Sequence, residues 1–146
     1  MERRLPEDWR KIHLAEHFLL SEFVVSDSHP NLAMMIEPTV EQVNNLYTLC
    51  QLALEPIRIE YGFVSITRGL ASQELNERIG GVPNSQHLYG EAVDFICPTV
   101  SMLDVYVFCH HNLEWKGELI YYKKKGHLHL SLPSLWVKPD HLIKEN

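Results

Sequence analysis

Ser85-Gln86-His87-Leu88-Tyr89-Gly90-Glu91-Ala92-Val93-Asp94 sets a histidine and an aspartate seven positions apart. A second histidine, His129, stands far downstream in the strand-like run His127-Leu128-His129-Leu130-Ser131. Two imidazoles and one carboxylate make a three-ligand set for zinc with the fourth position open, which is what separates a catalytic from a structural site. Each imidazole offers a neutral lone pair and Asp94 adds one negative charge, so the charge left on the ion can acidify a bound water. Residue types alone leave a second reading open, in which His87 is a turn histidine, Asp94 bonds locally and His129 is a half-buried strand histidine on a carbonyl.

Outward from this stretch the chain alternates strands and helices. Glu91 to Cys97 reads as a strand with Ala92, Asp94 and Ile96 on one face and Val93, Phe95 and Cys97 on the other. Pro83-Asn84 marks the loop before the His87 motif, and residues 73 to 79 read as a short helix stopped by Gly80-Gly81. Phe63 to Thr67 reads as a strand. Upstream, Pro38-Thr39 opens a helix, with Thr39 and Gln42 at capping-box spacing. Val43, Leu46, Leu49, Cys50 and Ala53 form its core stripe, Pro56 is placed to kink it and Gly62 to end it. Residues 1 to 37 are mixed. Downstream, Ser101 to Asn112 reads as a second helix, with Ser101 and Asp104 at cap spacing. The tail from Pro133 reads as a C-terminal extension, loose or packed.

Glu118 to Tyr122 and His127 to Leu132 read as a hairpin joined by Lys123-Lys124-Lys125-Gly126. A four-residue loop sets Tyr122 opposite His127 and Ile120 opposite His129. Glu118 and Tyr122 then share a face with both histidines. That face is too polar for a core and suits the floor of a cleft. Strands mixed with flanking helices make the fold class α+β.

The chain has 146 residues, 45% of them hydrophobic, which suits one domain with one core. A net charge of −6 with no basic stripe excludes a nucleic-acid footprint, and the three consecutive lysines read as an exposed turn. No apolar run approaches membrane-spanning length. Met1 to Asp8 has no apolar core behind its arginines, so no secretory signal is expected. Cys50, Cys97 and Cys109 are odd in number and widely spaced, and read as free, buried thiols of a reducing compartment.

Four segments together resemble the zinc D-alanyl-D-alanine carboxypeptidases of the phage and bacterial type, which share a fold with the hedgehog signalling domain. They are His17-Phe18-Leu19-Leu20-Ser21-Glu22-Phe23 with Ser26, then Leu54-Glu55-Pro56-Ile57-Arg58 with Tyr61-Gly62. Next come Ile66-Thr67 through Leu75-Asn76 and Gly80-Gly81 to the Ser85–Asp94 motif. The last runs from Leu119-Ile120-Tyr121-Tyr122 to His127-Leu128-His129-Leu130-Ser131. The likeness spans about residues 16 to 132 of a single domain over 1–146, with 133–146 as the extension. It implies a hedgehog/DD-peptidase-like fold, a small antiparallel sheet with flanking helices and a zinc site in the cleft. It also implies that His87, Asp94 and His129 bind Zn2+, and that the reaction is hydrolysis of a peptide bond in a peptidoglycan stem peptide. Substrate contacts are expected at Arg68 and Ser85. The family likeness further suggests a phage-encoded protein made in host cytoplasm, which reaches the wall at lysis or within a virion.

The chain departs from the family pattern at two places. The glutamate that would take the proton from the attacking water falls on Lys123, or on Tyr122 after a one-residue shift, and neither is a carboxylate. Glu118, Glu91 and His127 are the candidate replacements, and Tyr121 or Tyr122 could hydrogen-bond an oxyanion. In the strand after Ile66-Thr67, Ala71 stands where the family often has arginine, while Arg68 takes the serine place. Arg68 either grips a substrate carboxylate with its fork or pairs with a structural acid. Two functions are therefore expected to compete: a zinc metallopeptidase, and a zinc-stabilised binding or structural module that recognises a protein partner without turnover.

Overall fold

The computed structural model describes residues 4–146. Its N-terminal part holds a two-stranded antiparallel ribbon, β1 (His13–Ala15) and β2 (Phe18–Leu19), and a short helix α1 (Pro30–Met34). The main helical layer starts where the capping box is expected. Thr39 Oγ1 accepts the Gln42 N–H at 3.1 Å and Gln42 Oε1 accepts the Thr39 N–H at 2.8 Å, which satisfies donors that a helix start leaves free. Helix α2 (Val40–Leu49) runs into a π-turn over Cys50–Leu54 and continues as α3 (Glu55–Tyr61). In the π-turn the Glu55 N–H reaches the Cys50 carbonyl. Pro56 has no N–H, and its ring would meet the carbonyl four residues back in a regular turn. The wider turn carries the chain past it. Gly62, at φ 85°, ends the helix.

Val43, Leu46, Leu49, Cys50 and Ala53 are all buried, as their spacing requires. They pack with α2 against the sheet strand that carries Asp94. That sheet has the order β3-β4-β6-β5-β7 and comprises β3 (Ser65–Arg68), β4 (Ala92–Ile96), β5 (Leu119–Tyr122), β6 (His127–Ser131) and β7 (His141–Lys144). Helix α4 (Gln73–Arg78) lies between β3 and β4 in the chain. Helix α5 (Met102–Val107) packs on β5 and β6 and ends in a second π-turn, Phe108–Asn112. Ser101 takes the N-cap position of α5 without a side-chain bond, so the cap expected from its spacing with Asp104 is not made.

Val93, Phe95, Leu128, Leu130 and Leu119 face the helices and are fully buried. Alternation then sends Asp94, His127, His129, Ile120 and Tyr122 to the opposite face. The hairpin register is Tyr122 opposite His127 and Ile120 opposite His129. The tail supplies an edge that its composition does not announce: β7 pairs with β5 in parallel, whereas β3, β4, β6 and β5 pair with one another antiparallel. The extension expected from Pro133 onward is thus partly a strand of the sheet.

Candidate metal centre

Two glycines let the backbone present His87. Gly69 lies so close to Phe23 that a Cβ would overlap the Phe23 carbonyl. Gly90, at φ 70°, closes the 3-10 turn Gln86–Tyr89 against the Gln42 backbone. Ser85 Oγ accepts the His87 N–H at 3.2 Å and caps that turn. The Gly69 carbonyl lies 2.9 Å from His87 Nδ1 and, having no proton of its own, accepts one. His87 therefore carries its proton on Nδ1 and turns the Nε2 lone pair toward Asp94, 3.5 Å from Oδ1. Only 3% of His87 is exposed, and burial lowers its pKa despite the nearby Asp94, so the ring is neutral near pH 7.

His129 approaches the same carboxylate from β6, in register with β4. Asp94 pairs with His129 across the ladder, and His129 Nδ1 lies 2.7 Å from Asp94 Oδ1. Its other nitrogen, Nε2, lies 2.9 Å from Glu118 Oε1. Burial by itself would depress the His129 imidazolium, but the hydrogen bonds and charges of Asp94 and Glu118 outweigh it and push the pKa up to about 9. Burial likewise opposes ionisation of Asp94, yet the hydrogen bond and charge of His129 hold its carboxyl well below the usual range. Glu118 is fixed by its backbone. The Trp115 indole N–H reaches both the Glu118 and Ser131 carbonyls, at 3.2 and 3.1 Å, and clamps the start of β5 to the end of β6.

The ligand atoms of His87, Asp94 and His129 all lie within 4.8 Å of one another. Two imidazoles and a carboxylate fit zinc by donor type. The fit extends outward, because each imidazole has a partner on its far nitrogen, the Gly69 carbonyl for His87 and the Glu118 carboxylate for His129. A second group, Glu16, His17 and Glu55, also brings ligand atoms together. It lies at the surface, where the His17 Nδ1–Glu55 Oε1 contact of 2.5 Å ties the β1–β2 turn to α3.

The triad opens into a cleft of about 500 Å³, which is also lined by Arg68, Ser85, Glu118, Tyr122 and His127. His127 Nε2 lies 3.8 Å from Asp94 Oδ2, and its ring lies over Tyr122 with centroids 5.0 Å apart. Desolvation lowers the His127 pKa, so it is neutral and able to accept a proton near pH 7. Burial, then Asp94 and Glu118, raise the Tyr122 pKa, which keeps the phenol protonated as a donor.

Arg68 reaches the cleft through a β-bulge. Ile66 pairs with Phe95 and Arg68 with Asp94, so two steps on β3 match one on β4. In a regular strand, without the bulge, Arg68 would share the core face of Ile66. Its Nη2 donates to Asn76 Oδ1 at 2.9 Å, and its buried Nε has no hydrogen-bond partner among the described residues. The structural acid considered as its partner is therefore a neutral amide.

Several expectations change. Glu118, expected as a replacement base, is instead bonded to His129. Glu91 lines a neighbouring groove with Tyr89 and Trp136 rather than the cleft, so it is no candidate base. Lys123 is exposed and pairs with Glu145 at 3.7 Å, while Tyr122 occupies the cleft wall and Tyr121 packs against the core. The sequence reading missed Lys144 and Val137, which bring the tail to the cleft. The only local signal for them is the short apolar pair Leu142-Ile143. The three cysteines are free and buried as expected, and burial pushes Cys97 and Cys109 up to about 11 and about 12.

A family model described as Peptidase M15 matches residues 16–131. A comparison with curated proteins finds no match.

Proposed function

The chain belongs to the peptidase M15 family, of the zinc D-alanyl-D-alanine carboxypeptidase type. From that premise we propose that it is a zinc-dependent peptidase acting on peptidoglycan stem peptides, with His87, Asp94 and His129 as the metal ligands. The observation that carries this reading is the convergence of His87 Nε2, Asp94 Oδ1 and His129 Nδ1 in one open cleft. Zinc bound there would supply Lewis acidity to the scissile carbonyl and acidify the attacking water.

The chain's own groups take the remaining roles. Gly69 O and Glu118 Oε1 orient the two imidazoles. The Arg68 guanidinium holds the terminal carboxylate of the peptide. His127 Nε2 takes the proton of the attacking water and passes it to the leaving amine. The Tyr122 hydroxyl donates to the oxygen that gains charge. Ser85 contacts the substrate at the cleft wall while its hydroxyl caps the His87 turn. A phage origin, synthesis in host cytoplasm and delivery to the wall at lysis or in a virion belong to the same proposal and rest on the family likeness alone.

One observation favours a second reading, a zinc-stabilised binding module. Position 123 holds a lysine that pairs away from the cleft, and the Glu118 carboxylate is taken up by His129. The test is mass spectrometry of stem peptides incubated with zinc-loaded wild type, His127→Ala and His129→Ala protein. A product from wild type alone supports the peptidase with His127 as base. A product from His127→Ala at the wild-type rate removes His127 from the mechanism. No product from zinc-bound wild type leaves the binding module.

A further inference from the structure

The protein carries a net charge of −6, yet the charges left free in its cleft are positive. His129 engages both Asp94 and Glu118. Among the described residues Arg68 bonds only to the neutral Asn76. Lys125 and Lys144 line the same cleft, and among the described residues neither has a carboxylate within salt-bridge distance. Each places its ammonium 5.6 Å from the centre of the Tyr122 ring, one from the hairpin loop and one from β7.

The sheet order sets these cations apart. Arg68 is on β3, Asp94 and His129 of the metal triad are on β4 and β6, Tyr122 is on β5 and Lys144 on β7. Arg68 and the lysine pair therefore stand on opposite flanks of the candidate metal centre. Four strand spacings separate β3 from β7, about 19 Å of backbone, which no more than about six extended residues would cover.

We propose that Lys125 and Lys144, gathered over the Tyr122 ring, form an anion subsite that receives an acidic side chain of the substrate, on the far side of the metal centre from Arg68. The cleft then selects peptides with two carboxylates, a terminal one at Arg68 and an acidic residue within about six positions of it. This rests on the reading of the cleft as a peptide-binding site. Lys144 lies beyond residues 16–131, so one of the two lysines comes from the chain's tail, outside the part that the family model matches.

The test uses the zinc-loaded full chain and pairs of peptides with a free C-terminus, identical except for glutamate or glutamine at one upstream position, moved along the series. Binding is measured by calorimetry and cleavage by mass spectrometry. At one position or at adjacent positions the glutamate peptide is expected to bind about tenfold more tightly at low salt, with the gap narrowing as salt rises. Lys125→Met and Lys144→Met should each reduce that preference, and the double variant should abolish it. Lys125 is exposed, so its replacement tests the idea even if a β7 variant folds poorly. Equal binding by wild type at every position, binding of neither peptide, or a preference that survives both substitutions would overturn the subsite. Preference without cleavage would remove the peptidase reading and leave the subsite standing. Cleavage without preference would do the reverse.

Discussion

Glu118 Oε1 meets His129 Nε2 at 2.9 Å, on the ring edge opposite the one where Asp94 Oδ1 meets Nδ1 at 2.7 Å. His129 is thus held between two carboxylates, one a proposed co-ligand and the other a partner behind the ligand. In this position Glu118 fixes the ring and strengthens Nδ1 as a donor, and is a positioning residue.

Glu118→Gln should lower zinc affinity about 10- to 100-fold while the fold survives. Competition with a chromogenic chelator measures this. Unchanged affinity together with lost turnover would mean that Glu118 acts on the reacting atoms instead.

The metal-free protein should lose stability as pH rises from about 6.5 to about 9. The folded His129 pKa, about 9, lies above its ordinary 6.5, so its contribution is full below 6.5 and gone above 9. Thermal melts across this range, with and without zinc, read the effect. The fall should be absent in His129→Ala and in zinc-saturated protein. Zinc uptake near pH 7 should release a proton, because His129 must give up the one it shares with Asp94.

Gly69→Ala should cost about 2 kcal/mol or more, because a Cβ meets the Phe23 backbone and neither segment can give way without moving the other. Urea melts give the loss of stability. Zinc affinity should fall as well, since the same movement displaces the carbonyl that sets the His87 tautomer. A stable Gly69→Ala protein with normal zinc binding would contradict this account.

Ending the chain at Leu132 removes β7 and bares the edge of β5. An exposed edge presents unpaired N–H and C=O groups to other chains. The truncated protein should melt lower and associate, as followed by sedimentation. A monomer of unchanged stability would show that β7 does not hold the sheet.

Much of this molecule is legible along the chain. The Thr39–Gln42 cap, the stripe from Val43 to Ala53 and the register of the 119–131 hairpin follow from local periodicity and loop length. Those are short-range constraints, which a few neighbouring residues express in full. The Ser85–Asp94 motif and the downstream His129 named the candidate ligands, because alternation puts Asp94 and His129 on the solvent side of their strands. Arg68 is different. A strict two-residue period assigns it to the core face with Ile66, and only the bulge against β4 turns it into the cleft. The hairpin register puts Glu118 on the face of His129, but its bond to the ring depends on the Trp115 clamp joining two strands. Lys144 enters the cleft only because β7 returns to pair with β5. The sequence by itself determined the strands around the site, β3 to β6, and the helix cap, since these are written in contacts between near neighbours, and its motifs named the three proposed metal ligands. The tertiary structure alone decided which charges line the cleft, because bulges and edge pairings are chosen by contacts distant in the chain and leave no periodic trace in it.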